Sequence, residues 1–156
     1  MRLVEILAED RVVVARNLPG KAAALHAVAH LLARGAAVPE TVVHGVLEER
    51  EALQSTGIGD GVAIPHGFLG ELLTQVAALM VVPEGVAFDA IDGRPAKIIL
   101  GVVGPKKGMH AQVEHLRILA RVSKVLREPG LREKLIGAAD SLTVYQLIRD
   151  ADARAP

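Results

Sequence analysis

Residues 76–103 read VAALMVVPEGVAFDAIDGRPAKIILGVV and contain two apolar runs, at 76–82 and at 98–103. Both runs are rich in β-branched residues and too short to cross a membrane, which is typical of strands buried inside a sheet. The segment between them contains Asp92-Gly93, a dipeptide that favours a tight turn between antiparallel strands. The stretch therefore predicts a pair of antiparallel strands at the centre of the fold.

Upstream of this pair, the chain predicts one more strand and two helices. RVVVA at 11–15 is typical of a buried strand, and Pro19-Gly20 ends it. Apolar residues recur at helical spacing over 21–34, which predicts a helix that stops at Gly35. A second helix is predicted from Pro39, a residue suited to the first helical turn, to the glycines that begin at residue 57.

Downstream of the pair, the sequence predicts helices only. A helix is expected over 110–127, a short helix after Pro129-Gly130, and a last helix with Ser141 as its N-cap. The final residues, 151–156, are expected to be frayed. The predicted fold is a single-domain α/β protein over residues 1–150, with a mixed parallel and antiparallel sheet flanked on both sides by helices.

The composition excludes several classes of function. The chain has 156 residues, 18 Lys plus Arg, 18 Asp plus Glu, one Tyr, two Phe and no Cys or Trp. Without a basic field or aromatic stacking platforms, nucleic-acid binding is not expected. The absence of cysteine excludes disulfides and thiol chemistry and fits a reducing cytoplasm. Charges inside the first apolar stretch, MRLVEILAEDR, argue against a signal peptide or membrane anchor, so a cytoplasmic protein without membrane insertion is expected.

The most unusual segment is STGIGDGVAIPHG, residues 55–67. Its glycines match neither the dinucleotide fingerprint nor the P-loop, so a nucleotide site is not expected. Two interpretations remain open. Gly57, Gly59 and Gly61 form only a tight connection into a strand, or their backbone N–H groups and the hydroxyls of Ser55 and Thr56 form a cradle for an anion.

His66 ends this segment and is the candidate for the chemistry. Pro65 fixes the backbone just before it and favours a defined position at the exit of a strand. A neutral imidazole is a competent nucleophile at pH 7 and an acceptable leaving group, which suits reversible phosphoryl transfer. Such transfer needs alignment and hydrogen-bond donors more than it needs further reactive groups.

His115 is the candidate for a second histidine, and Arg50 for a supporting charge. His115 lies at helical spacing with Leu119 and Val122, at the border of the buried face, where the N-terminus of its helix favours a neutral ring and a nearby anion. The alternative is a histidine at the core boundary with no part in the chemistry. His110 is interpreted as a loop or cap residue.

The remaining histidines give weaker signals. His26 and His30 have the i, i+4 spacing of a zinc pair, but no third ligand is evident, and solvated helix histidines are the alternative. His44 has no partner that the sequence identifies. Lys106 and Lys107 belong either to a docking surface or to a solvated loop. No metal and no organic cofactor is expected.

Three stretches in this order resemble the enzyme IIA domains of the fructose/mannitol class in the bacterial phosphoenolpyruvate-dependent phosphotransferase system. They are LEEREALQSTGIGDGVAIPHG at 47–67, FDAIDGRPAKIILGVVGP at 88–105, and EHLRILARVSKVLREPGLREKL at 114–135. The resemblance covers nearly the whole chain. It implies a mixed sheet flanked by helices, which agrees with the expectation from the residues.

Residue by residue, the resemblance implies that His66 accepts a phosphoryl group from the phosphocarrier HPr or from its nitrogen-branch equivalent. It implies that His115 orients and stabilises the phosphoryl group and that Arg50 supplies supporting charge. Ser55, Thr56, Gly57 and Gly59 would form the loop that contacts the phosphoryl group. No cofactor is implied.

Within this family two roles remain open. The nitrogen-regulatory branch signals by binding other proteins according to its phosphorylation state, and STGIG followed by FDAIDG looks more like this branch. The sugar-transport branch instead passes the phosphoryl group to a IIB component, here on a separate chain. A different kind of function is a domain that only binds an anion or a partner without becoming phosphorylated.

Overall fold

The computed structural model describes all 156 residues and contains five α-helices and six strands in one sheet. Two short 3-10 turns, Leu3–Glu5 and Glu9–Arg11, precede the first strand. The strands are β1 (Val12–Val14), β2 (Gly57–Gly59), β3 (Val62–Ala63), β4 (His66–Leu69), β5 (Val76–Val86) and β6 (Ala96–Pro105). The helices are α1 (Lys21–Ala36), α2 (Glu40–Leu53), α3 (Met109–Leu126), α4 (Leu131–Ile136) and α5 (Ser141–Arg154). No helix is long and apolar enough to span a membrane.

The two apolar runs form the centre of the sheet, as predicted. β5 and β6 pair antiparallel with Leu79 opposite Leu100, and the sheet order is β1-β5-β6-β3-β2. β1 joins β5 in parallel, while β3 and β4 follow one another along the other edge of β6, both parallel to it. The mixed sheet that the sequence predicts is confirmed.

Alternation along β5 and β6 sends side chains into two separate cores, one on each face. Leu79, Val81 and Leu100 pack with α3, α4, α5 and the N-terminal turns. Met80 and Ile99 pack on the other face with α1 and α2. Because successive strand residues point to opposite faces, two apolar runs without polar interruptions require helices on both sides, and this prediction is confirmed.

Two predicted helix boundaries are wrong. Gly35 lies inside α1 and does not end it, and the left-handed residue after the helix is Ala37. A Cβ on Gly35 would lie 2.7 Å from Val76 Cγ1 and 2.8 Å from Arg11 Cζ, so glycine is present because the helix approaches the sheet closely. At α5 the N-cap is Asp140, whose carboxylate accepts a 2.8 Å hydrogen bond from Thr143 N, and Ser141 is the first helical residue.

The C-terminal segment is also more ordered than the sequence predicts. α5 continues to Arg154, so the expected fraying is wrong for residues 151–154. Asp152 is fully buried, accepts a 2.7 Å hydrogen bond from Arg121 Nε and accepts another from Val4 N. These contacts tie the last helical turn to α3 and to the N-terminus, which prevents it from fraying.

Candidate functional site

His66 is the first residue of β4, and two residues, Ile64 and Pro65, separate it from β3. Its position is fixed by parallel pairing with Val102 of β6, and its side chain is half-buried. Nδ1 lies 2.8 Å from the carbonyl oxygen of Ile64. A carbonyl oxygen only accepts hydrogen bonds, so the Nδ1–H donates and the neutral ring carries its lone pair on Nε2.

The surroundings of His66 keep its ring neutral. Burial holds the pKa of His66 below its usual value of 6.5, and the nearby Arg50 guanidinium lowers it further. The hydrogen bond to Ile64 and the Glu51 carboxylate act in the opposite direction. The net effect is a larger fraction of unprotonated Nε2 near neutral pH, which is the form that attacks an electrophile.

His115 of α3 lies beneath His66. It is 1% exposed, and its ring centroid is 5.6 Å from that of His66 and 4.6 Å from that of Phe68. Its Nδ1 donates to Gln75 Oε1 at 2.8 Å, while its Nε2 is buried without a partner. Burial, with a smaller contribution from His66, lowers the pKa of His115 to about 4.

His115 is neutral, as expected, but the N-terminus of its helix is not the reason. His115 lies beyond the first turn of α3, which begins at Met109, and a helix terminus acts mainly within its first turn. Burial keeps the ring neutral instead. His110, expected in a loop or cap, is an exposed residue in the first turn of α3.

The structure brings Arg50, Ser55, Thr56 and Gly57 together with His66. All five line a cleft of about 340 Å³, and Ser123 of α3 contributes to its far wall. Arg50 lies on the last turn of α2, where Nη1 donates to Gln54 O at 2.9 Å. A second cavity on the other side of His66 is lined by Arg50 and Lys106. Lys106 therefore lies at the site, a position that favours the docking interpretation for this lysine.

The donors of the loop are already engaged within the protein. Ser55 Oγ donates to Phe88 O at 2.6 Å and accepts from Gly57 N at 3.0 Å. Thr56 is buried, and both its N–H and its hydroxyl donate to the Glu51 carboxylate. These contacts shape the loop that forms the cleft wall, and a direct contact of these groups with a phosphoryl group stays a prediction.

Gly59 does not join the other predicted residues in the cleft. It lies at the β2–β3 hairpin with φ of +92°, and Gly61 follows with φ of +77°. Glycine adopts positive φ values at little cost, and Asp60 between these two glycines, with φ of +56°, is of a type that tolerates such values in turns. Asp92 supports this hairpin by accepting a 2.9 Å hydrogen bond from Asp60 N. For Gly59 and Gly61 the interpretation as a tight connection is the one that the structure supports.

Sequence reasoning missed two buried polar residues. Gln75, which is 2% exposed, holds His115, and Glu51, which is 7% exposed, holds Thr56 and forms a 2.8 Å ion pair with Lys21. Gln75 directly precedes an apolar strand and Glu51 lies in a charged run, so neither shows a pattern that distinguishes it from a solvated residue. Gln75 contacts His115, and Glu51 contacts Lys21. The members of each pair are far apart in sequence, and a single sequence does not show such pairs.

The other histidines lie away from this cleft, on the surface of α1 and α2. His26 and His30 share the Glu40 carboxylate at 3.3 Å and 3.0 Å. His44, for which the sequence identified no partner, lies 3.1 Å from Glu48 and packs edge-on against His26. No group of three or more His, Cys, Asp or Glu side chains is arranged to hold a metal ion.

Comparison with known proteins identifies the family of this chain. The model of the EIIA 2 family of the phosphoenolpyruvate-dependent sugar phosphotransferase system matches residues 5–151. The chain belongs to this family.

Individual relatives agree with this assignment. A nitrogen regulatory protein of Pseudomonas aeruginosa is 34% identical over 155 residues, covering 96% of each chain. The crystal structure of nitrogen regulatory protein IIA-Ntr from Neisseria meningitidis superposes with a TM-score of 0.82 at 31% identity, covering 92% of this chain and 97% of that one. The fold is also shared, at 22% identity and a TM-score of 0.73, with mannitol IIA of Escherichia coli, solved in complex with phosphorylated IIB. That match covers 92% of this chain and 96% of the mannitol protein.

Proposed function

We propose that the protein is a phosphohistidine carrier in the cytoplasm that accepts a phosphoryl group on Nε2 of His66. The donor is the phosphocarrier HPr or its nitrogen-branch equivalent. The observation that carries the proposal is the 2.8 Å hydrogen bond from His66 Nδ1 to Ile64 O, because it leaves the lone pair on Nε2. Membership of the EIIA 2 family supports the same reaction.

The transfer forms one bond and breaks one. The Nε2 lone pair of His66 attacks phosphorus, and the bond from phosphorus to the donor histidine breaks, with its electron pair returning to that nitrogen. The His66 ring keeps its proton on Nδ1, which donates to Ile64 O, so the carbonyl oxygen stabilises the positive charge that develops on the ring. The reverse reaction uses the same contacts.

A positive charge beside His66 and a buried histidine next to it favour a phosphoryl group at this position. Arg50 lines both cavities that adjoin His66, so its guanidinium can offset the charge on the equatorial oxygens in the transition state. His115 lines neither cavity, but it lies next to His66, and its Nε2, which has no partner, is the ring nitrogen left for a contact with the phosphoryl group. We assign Arg50 the supporting charge and His115 the orientation of the phosphoryl group.

The regulatory branch of the family is the better supported role. Among the relatives reported above, the nitrogen regulatory proteins have the higher sequence identities, 34% and 31%, compared with 22% for mannitol IIA. Ile58, Ile91 and Leu53 are exposed at the cleft rim, by 50%, 90% and 82%, and form an apolar surface suited to a protein partner. Phosphorylation of His66 places a dianion in the middle of this surface, so it changes which partner binds.

Transfer to a separate IIB component is the second candidate. It is favoured by the shared fold with mannitol IIA of Escherichia coli, which was solved in complex with phosphorylated IIB. A sugar-transport IIA passes its phosphoryl group on rapidly to IIB, whereas a regulatory IIA need only be phosphorylated and dephosphorylated by its phosphocarrier.

The test begins with labelled phosphoenolpyruvate, enzyme I and each phosphocarrier of the source organism. Wild type and the His110→Ala control, which changes an exposed histidine outside the cleft, are expected to become equally labelled with an acid-labile phosphoryl group. His66→Ala is expected to remain unlabelled, and undiminished labelling of this variant would exclude His66 as the acceptor. His115→Ala is expected to accept the group but to transfer it more slowly in both directions.

Adding purified IIB proteins to the labelled protein separates the two branches. Loss of label to a IIB within seconds would establish the sugar-transport role. Retention of label, together with a partner captured only by His66→Glu or only by His66→Ala, would establish the regulatory role. Phosphate-like binding without any covalent label would leave a binding domain as the function.

A further inference from the structure

Gln75 is fixed between two groups that determine the orientation of its amide. The side chain is 2% exposed, its Oε1 lies 2.8 Å from His115 Nδ1, and its Nε2 lies 3.4 Å from Ala111 O. Ala111 O only accepts hydrogen bonds, so the amide NH₂ faces it and the amide oxygen faces His115.

Gly104 of β6 provides the space for this amide. Val76 pairs with Val103, which places Gln75 opposite Gly104, and a Cβ on Gly104 would overlap the amide atoms of Gln75. The arrangement is therefore built into the strand pairing and does not depend on a mobile surface side chain.

The amide determines which nitrogen of His115 carries the ring proton. An amide oxygen accepts, so the Nδ1–H donates to it, and the neutral ring has only a lone pair on Nε2. That Nε2 is buried and has no partner. In this form it has no hydrogen to donate to a phosphoryl oxygen, although it is the ring nitrogen left for that contact.

We propose that Gln75 is a positioning residue which, by holding the His115 proton on Nδ1, couples phosphorylation of His66 to the uptake of one proton at His115 Nε2. This inference rests on the proposed function. The proton comes from solvent and converts His115 to an imidazolium, which donates from Nδ1 to Gln75 and from Nε2 to a phosphoryl oxygen. No other bond changes in this step.

The charges around the pair determine the direction of the coupling. Before phosphorylation, burial and the neighbouring His66 of β4 hold the pKa of His115 at about 4, so the ring is neutral. Phosphorylation changes the net charge of His66 from zero to minus one, because the dianionic group outweighs the single positive charge on the ring, and a nearby negative charge favours the charged form of His115. On α2, Arg50 and Glu51 act on His66, whose protonation Arg50 opposes and Glu51 favours, and Gln75, which directly precedes β5, is neutral.

The alternative to proton uptake is reversal of the Gln75 amide. Its NH₂ would then donate to His115 Nδ1, and the neutral ring would carry its proton on Nε2. This would turn the amide oxygen towards Ala111 O, so that two acceptors face each other in a buried place, which is unfavourable.

The experiment is NMR of the full-length protein with ¹⁵N-labelled histidine, before and after phosphorylation by phosphoramidate. In the free protein at pH 6, His115 is expected to be neutral with hydrogen on Nδ1. In the phosphorylated protein at the same pH both nitrogens are expected to carry hydrogen, because the midpoint of the His115 titration is raised by about three pH units. A neutral His115 in the phosphorylated protein at pH 6 would overturn the coupling.

Two variants test the part of Gln75. Gln75→Leu removes the acceptor, so the His115 proton is expected to move to Nε2 in the free protein and the uptake on phosphorylation to be lost. Gln75→Glu keeps an acceptor and is expected to retain the Nδ1 proton, with the His115 titration shifted to higher pH. An unchanged tautomer in Gln75→Leu would overturn the role of Gln75.

The measurements separate this inference from the proposed function. If neither phosphoramidate nor the phosphorylated phosphocarrier modifies His66, the proposed function and the coupling both fail, whereas the spectra of the free proteins still decide whether Gln75 sets the tautomer. If His66 is phosphorylated and His115 stays neutral, only the coupling fails.

Discussion

Replacement of Glu51 tests how the wall of the cleft is held. The carboxylate accepts from Thr56 N at 2.9 Å and from the Thr56 hydroxyl, and it pairs with Lys21 Nζ at 2.8 Å. Glu51 and Thr56 are 7% and 4% exposed, so water does not readily replace the lost acceptor. Glu51→Ala leaves two buried donors without partners, at a cost of about 1–3 kcal/mol each, and we expect the free energy of unfolding to fall by about 3 kcal/mol.

Glu51→Gln is the matched control. Its amide oxygen still accepts from Thr56 N and its NH₂ donates to the Thr56 hydroxyl oxygen. The Thr56 hydroxyl hydrogen loses its acceptor and the ion pair with the partly exposed Lys21 is lost. We expect a loss of about 1–2 kcal/mol. Both variants remove the charge that raises the pKa of His66, so the midpoint of the His66 titration should fall in both.

Urea unfolding monitored by circular dichroism measures the stability of both variants. The rate of labelling from a phosphorylated phosphocarrier, measured where the variants are fully folded, reports on the cleft. Glu51→Ala should be slower than Glu51→Gln by about tenfold, because the loop of Ser55 to Gly57 loses its anchor. Equal stabilities and equal rates for the two variants would show that the carboxylate does not hold the loop.

Three further predictions follow from the contacts. As pH falls, His115 takes up a proton near pH 6.5 in the unfolded chain but only near pH 4 in the folded protein. The free energy of unfolding should therefore fall between about pH 6.5 and 4.5 by up to about 3 kcal/mol. His115→Gln should reduce this pH dependence in urea titrations, and an unchanged dependence would contradict the prediction. In Gly67→Ala the new methyl group would overlap Val46 Cγ1, which should lower the melting temperature and cost about 1–3 kcal/mol in the free energy of unfolding. Adding Val46→Ala should restore part of this stability, and additive losses of the two substitutions in calorimetry would refute the overlap. Arg121→Met leaves the buried Asp152 carboxylate without its cation and should cost about 3 kcal/mol in urea unfolding, and a loss below about 1 kcal/mol would contradict the pairing.

The sequence predicted the architecture where a local pattern carries the information. The apolar runs at 76–82 and 98–103, with a turn between them, predicted the antiparallel centre of the sheet, and helical periodicity predicted α1 and α3. Element ends were less predictable because tertiary contacts decide them. Gly35 lies inside its helix because only glycine leaves room for the close approach to the sheet. Residues 151–154 stay helical because Arg121 binds Asp152.

The residues of the candidate site were likewise predictable only where a local pattern carries the information. His66 and the loop of Ser55 to Gly57 are adjacent in sequence, and their segment was noticeable from its glycines and its Pro-His pair. The pairing of His115 with Gln75 spans 40 residues, and no local pattern indicates it. The direction of the hydrogen bonds was equally hidden, and it determines which nitrogen of each histidine is free.

The position of the phosphoryl group on the His66 ring is the most direct test of the account. The protein with ¹⁵N-labelled histidine is phosphorylated by its phosphocarrier, and the coupling between ³¹P and ¹⁵N is measured by NMR. The account predicts a single phosphohistidine with phosphorus on Nε2 of His66 and hydrogen retained on Nδ1, since Nδ1 donates to Ile64 O. Phosphorus on Nδ1 of His66, or on any other residue, would contradict it.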